Sequence, residues 1–187
     1  MPYMVLAMSV GMLGQTTSRK EIRHMSIRKI KVQRITVISH DTFDSVVARL
    51  DAQLGHPDMA AFRKKLSEAH DESEMKAIVD PAAQPNGIME FARFDLGDII
   101  RKENGTDTPR VLRIVAGNPL IMKEMVKHVP DAGSYAPVTI LIDERADGIH
   151  ISYDTMVSHL APYGNSEALQ VAKDLDIKIE TIMDAAK

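Results

Sequence analysis

Histidine, serine and aspartate stand at alternate positions late in the chain, as His150, Ser152 and Asp154. Side chains of a strand point alternately to its two faces. If Ile149, Ile151 and Tyr153 turn inward, these three polar groups therefore share the other face. One of them titrates near neutrality, so the set could do acid–base chemistry on a small polar substrate. His159 offers the same chemistry a few residues on. The solvent side of an ordinary hairpin has the same pattern, and spacing alone leaves both readings open.

Two tyrosines, Tyr135 and Tyr153, combine an apolar ring with a polar tip, a type suited to a ligand pocket or to core packing with one satisfied hydroxyl. Gly117-Asn118-Pro119 follows an apolar run and opens a helix pattern. The free backbone N–H groups there could meet an anionic end of a ligand, or Asn118 could be a plain cap. The further glycines, lysine and hydroxyl of a phosphate-binding loop or dinucleotide fingerprint do not follow it.

The seven histidines form no HxH, HxxxH or HExxH pattern, and with no cysteine there is no thiolate ligand, disulfide or cysteine nucleophile. No metal and no cofactor are expected. Glu90 and Arg93 are expected on opposite faces of their strand and so not as a pair. No G-x-S-x-G elbow, kinase or zincin signature occurs.

The elements that must position these residues follow from periodicity. Gln33 to Ser39 alternates as a half-buried strand, and Asp41 is expected to cap a helix carrying Phe43, Val46, Val47, Leu50 and Leu54. Gly55-His56-Pro57 breaks it, and Asp58 caps a second helix with Met59, Phe62, Leu66 and Ala69 on one stripe. A third helix is expected over Glu72 to Val79, ended by Asp80-Pro81. Asn86-Gly87 marks a turn into a strand over Ile88 to Phe94, with Met89 and Phe91 on one side and Glu90 and Ala92 on the other. Asp95 to Thr108 reads as loop with a helical turn near Leu96 to Arg101.

Arg110 to Ala116 is a nearly continuous apolar strand, expected to be central and covered on both faces. Asn118-Pro119 starts a helix with a stripe through Ile121, Met122, Met125, Val126 and Val129. Val138 to Ile142 and Ile149 to Tyr153 pair through a tight turn at Asp147-Gly148. A long amphipathic helix closes the chain from Asn165-Ser166, with Ala168, Ala172, Leu175, Ile179, Ile182 and Ala186 stepping by four and three. Strands and helices do not alternate long enough for a doubly wound sheet. The pattern implies an α+β domain with a largely antiparallel sheet and helices over one face.

Length and composition bound the function. A chain of 187 residues, 44% apolar and 26% charged, suits one globular domain with a real core. A net charge of −3, 4% aromatics and no tryptophan give neither the basic face nor the stacking platforms that nucleic acid would favour. Twelve methionines could line a core or an adaptable apolar pocket. Val5 to Leu13 is apolar but too short to span a bilayer, and its basic residues, Arg19 to Lys31, follow it rather than precede it as in a secretory signal. The expectation is a cytoplasmic protein with no membrane and no nucleic-acid partner. Residues 1–30 read as an N-terminal extension, with Met25 the favoured start, and residues 31–187 as the domain.

Four short motifs occur together: Gly117 to Pro119 (GNP), Asp131 to Pro137 (DAGSYAP), Ser152 to Asp154 (SYD) and Asp174 to Asp176 (DLD). With Phe43 to Leu50 and Gly87 to Asp98, they make the chain from about Lys31 onward resemble the domain-of-unknown-function 302 family of bacterial proteins. The resemblance implies a TATA-binding-protein-like α+β fold, a curved, mainly antiparallel sheet with helices packed on it, and self-association as a homodimer. It supplies no activity, substrate or catalytic residue.

A curved sheet gripping helices leaves a concave, mostly apolar site. The leading expectation is therefore a small-molecule ligand held between sheet and helix, with Asn118, Tyr135, His150, Tyr153 and Asp154 as pocket or rim residues. An enzyme using His150 and Asp154, or His159, and a module that presents a surface to a protein partner are the alternatives.

Overall fold

Alternating apolar side chains build five strands in a computed structural model that describes residues 26–187: β1 (Arg34–Ser39), β2 (Met89–Asp95), β3 (Val111–Gly117), β4 (Val138–Arg145) and β5 (Gly148–Asp154). The expected extension up to residue 25, and the start at Met25, lie outside the described residues. The strands form an open sheet in the order β1-β5-β4-β3-β2, and every neighbouring pair is antiparallel. Seven helices accompany them among the described residues: α1 (Phe43–Asp51), α2 (Met59–Glu68), α3 (Glu72–Ala82), α4 (Leu96–Asn104), α5 (Pro119–Val126), α6 (Met156–Leu160) and α7 (Ser166–Ala186). This is the α+β class that the patterning implies.

One face of the sheet makes the core. Ile149, Ile151 and Tyr153 of β5 lie beside Ile140 and Ile142 of β4, which in turn face Ile114 and Leu112 of β3. This layer packs against Val46 and Leu50 of α1 and the stripe Ala172, Leu175, Ile179 and Ile182 of α7. Each fully buried Leu or Ile contributes roughly 1.5–3 kcal/mol, so the layer is the main stabilising element. A satellite cluster of Phe62, Val79, Ala83 and Met89 joins α2 and α3 to the β2 end of the sheet.

The opposite face differs. One row across it reads Thr36, Ser152, Leu141, Arg113 and Phe94, one residue from each strand. Thr36, Arg113 and Phe94 in that row are exposed, as are Arg34 and Ile38 beside it. The expectation that β3 is covered on both faces therefore fails. Arg113 interrupts its apolar run on the face that water reaches.

Several boundaries differ from the periodic reading. Thr42, not Asp41, caps α1, its hydroxyl accepting from the Ser45 N–H, while Asp41 pairs with Arg49 at 2.9 Å. The third helix runs on to Ala82 and carries Pro81 in its last turn, where few helical hydrogen bonds are left to lose. Asp95 to Thr108 is mainly a helix, α4, capped by Asp95 and ended by Gly105 at φ 65°. Ala146 and Asp147 occupy the hairpin turn, and Gly148, at φ 139°, begins β5 instead of sitting in the turn. A Cβ on Gly148 would meet the Ser39 carbonyl oxygen at 2.6 Å.

The largest correction concerns β2. A bulge leaves Phe91 unpaired between Glu90, opposite Ala116, and Ala92, opposite Val115. The extra residue shifts the alternation, so Glu90 and Arg93 fall on the same face and Ala92 on the other. The expectation that Glu90 and Arg93 lie on opposite faces and so make no ready pair is overturned: Arg93 Nε donates to both Glu90 oxygens, at 3.0 and 3.2 Å.

Candidate functional site

An apolar cavity of ≈ 520 Å³ opens where α2, α5 and the β2–β3 end of the sheet converge. Asp58 starts α2, its carboxylate accepting from the Ala60 and Ala61 N–H groups, and so turns Met59, Phe62 and Leu66 to one side. Phe94 and Val115 supply the sheet wall, and Met122 of α5 lies across it. Gly117 sits at the wall as well, where a Cβ would come within 3.3 Å of the Phe91 ring and 3.4 Å of Pro137. The volume falls in the range of small-molecule sites.

Asn118 borders this cavity, but both ends of its side chain are engaged. Its Oδ1 accepts from the Leu120 N–H at 2.8 Å, and its Nδ2 donates to the Gly87 carbonyl at 3.0 Å. It is the N-cap of α5 and also ties the β3–α5 junction to the turn before β2.

A second, polar cleft of ≈ 420 Å³ lies along the exposed sheet face. Tyr135, Tyr153, Asp154 and His159 line it together with Arg34 and Arg113. The Tyr135 ring stacks on His159 with centroids 4.6 Å apart, and its hydroxyl is 2.8 Å from that of Tyr163. That hydrogen bond pushes the Tyr163 phenol above its ordinary range. Burial pushes the His159 imidazole below its usual value, with Asp154 and Asp176 opposing the effect. Asp154 accepts from Arg34 at 2.6 and 2.8 Å, and the guanidinium holds its carboxyl below the ordinary carboxylate range. A carboxylate tied at both oxygens is a poor proton donor near neutrality.

Tyr153 reaches the cleft from the core side, and its hydroxyl points inward. It donates to Asp176 Oδ1 at 2.7 Å, and burial next to that carboxylate pushes the phenol far up. Asp176, from α7, also accepts from the Met156 and Val157 N–H groups at 2.7 and 3.0 Å. It thereby caps α6, whose own N-cap residue, Thr155, makes no side-chain cap bond.

His150 stands apart from both clefts. It shares the face of Ser152 and Asp154, as expected from alternation, but is 6% exposed and its Nε2 lies 2.9 Å from Asp147 Oδ1. The structure thus brings Tyr135, Tyr153 and Asp154 to one cleft, Asn118 to the other, and His150 to neither. Arg113 was not among the candidate residues. Its one signal is a lone guanidinium in an otherwise apolar strand.

Asp51, His56 and Glu90 bring ligand-type atoms within 4.8 Å of one another. Arg93 is seated among them, bonding Asp51 and Glu90, and these carboxylates push its guanidinium up. A cation at this place would have to displace a charge the protein already supplies.

The family model described as Domain of unknown function DUF302 matches residues 62–186. A crystal structure of an uncharacterized conserved protein DUF302 from Bacillus stearothermophilus is similar in fold, with a TM-score of 0.57 at 12% identity. The match covers 82% of this chain and 98% of that one. No curated protein matches the chain. Among the described residues, no helix is long and apolar enough to cross a membrane.

Proposed function

The chain belongs to the family described as Domain of unknown function DUF302, and from that starting point we propose that it is a small-ligand-binding protein. The observation that carries this reading is the apolar cavity of ≈ 520 Å³ between α2, α5 and the sheet. A cavity of that kind, with apolar walls and a few polar groups at its edge, is the form ligand sites take. Methionine side chains at Met59, Met122 and Met125 suit it to ligands of varied shape.

The test is titration with N-phenyl-1-naphthylamine, an uncharged apolar probe whose emission rises on leaving water. Saturable binding is expected for the wild-type protein, and a loss of roughly tenfold or more in affinity for Val115→Phe, which fills the cavity from β3. Binding that ignores the substitution would place the probe elsewhere and remove the reading. Native mass spectrometry of freshly purified protein, then denaturing analysis of the same sample, would identify a ligand carried through purification.

Self-association belongs to the same proposal. β1 is an edge strand whose outer side pairs with no strand among the described residues, the kind of template on which a second copy can add. Light scattering is expected to give twice the 20.7 kDa chain mass. A cytoplasmic location is likewise proposed, from the absence of cysteine.

A further inference from the structure

The apolar cavity and the polar cleft are not separate. Pro137 and Val138 line both, so the two adjoin on the exposed sheet face, with Phe94 and Val115 at one end and Tyr135 and His159 at the other. The sheet register makes the chemistry of this groove change along its length. Ala92, Val115 and Thr139 lie side by side across β2, β3 and β4, and the row beside them runs Phe94, Arg113, Leu141, Ser152. Apolar side chains give way to hydroxyls and guanidinium over two inter-strand spacings, roughly 10 Å.

Charge at the polar end is unbalanced in one direction. Asp154, the acidic side chain of the cleft, is neutralised by Arg34 at both oxygens. Arg113 has no carboxylate partner among the described residues, and its guanidinium reaches only the Thr139 hydroxyl, at 3.4 Å. In the same cleft, His159 Nδ1 is shielded from solvent and bonds to nothing among the described residues. A guanidinium presents a planar fork of donors that matches a carboxylate. The hydroxyls of Ser152 and Thr139 are within the same cleft to take further hydrogen bonds.

We propose that the groove binds an amphipathic carboxylate, its apolar body in the α2–α5 cavity and its anionic end on Arg113, in the cleft that His159 also lines. The inference rests on the ligand-binding reading of the apolar cavity and adds the class of ligand and the direction in which it lies. Arg63 is the competing cation, since it also borders the apolar cavity. It stands on α2 and lines no part of the polar cleft, however, whereas Arg113 lines that cleft.

Calorimetric titration with decanoate and with decanol separates the two layers of the argument. Decanoate is expected to bind the wild-type protein more tightly than decanol. Arg113→Gln should weaken decanoate about tenfold or more and leave decanol unchanged, because a charge-assisted pair is lost and the apolar wall is not. Arg63→Gln should change neither, and both substitutions are at exposed positions that leave the core intact. Equal affinity for the two ligands, with Arg113→Gln without effect, would overturn the anionic end while the apolar pocket stands. Loss of decanoate binding in Arg63→Gln instead would overturn its direction. Failure of both ligands to bind would overturn the pocket reading itself.

Discussion

Asp176 holds the junction between β5 and the C-terminal helix with one carboxylate, accepting from the Tyr153 hydroxyl and from two backbone N–H groups of α6. Removing a partner from such a buried network leaves the rest unsatisfied, which costs more than the bond itself is worth. Tyr153→Phe is expected to lower stability by about 1–1.5 kcal/mol and Asp176→Ala by about 2–4 kcal/mol in urea unfolding. The double variant should lose less than the sum, because the two residues share one bond. His159 adds a pH dependence. Burial lowers its folded pKa below the unfolded value, near 6.5, so the unfolded chain takes up the proton first. Stability is then fully present above about pH 6.5 and falls as the pH drops through that value toward the folded pKa. Melting temperatures between pH 5 and 8 should show this slope, and His159→Gln should flatten it.

At the scale of elements, the bulge in β2 turns two residues that simple alternation separates into an ion-pair network with α1. Arg93 bonds Glu90 and Asp51, and Glu90 is the more buried of the two acids, with 13% of its side chain exposed. Arg93→Met is expected to cost about 1–2 kcal/mol, less than a fully buried pair because Arg93 and Asp51 are about one third exposed. Paired substitution of Arg93 and Glu90 should recover part of that loss, which a double-mutant cycle reads directly. Gly148 is the other local decision. At φ 139°, and with an added Cβ falling 2.6 Å from the Ser39 carbonyl oxygen, it cannot accept a side chain without moving β1. Gly148→Ala is expected to cost about 2 kcal/mol or more in the same unfolding assay.

Some of these elements were open to a sequence reading and some were not. α4 carried its signals in plain view, with Asp95 as cap and Gly105 at its end. Periodicity yields only a helical turn near Leu96 to Arg101 because its apolar residues do not make a buried stripe: Ile99 is 70% exposed and only Gly97 is buried. A helix that packs weakly shows little periodicity. The bulge had no local signal at all, since an unpaired Phe91 is defined by β3 opposite it.

For the whole molecule, stability and binding are linked. A ligand seated in the groove at a hundred times its dissociation constant is expected to raise folding stability by about 2.7 kcal/mol. Thermal unfolding in rising decanoate should therefore shift upward in the wild-type protein and much less in Val115→Phe.

Alternation and helical spacing are properties of neighbouring residues, so the sequence by itself determined the strands, the inward set Ile149, Ile151 and Tyr153, the cap Asp58, the helix starts at Asn118 and Asn165, and the α+β class. The motifs at Gly117, Asp131, Ser152 and Asp174 also carried the family. Tertiary structure alone decided that β1 lies beside β5, that Asp176 meets Tyr153 and caps α6, and that Asn118 and Tyr135 border different parts of one groove. Those outcomes depend on which distant surfaces pack together, and that is settled by the burial of the whole core and not by any stretch of chain within it.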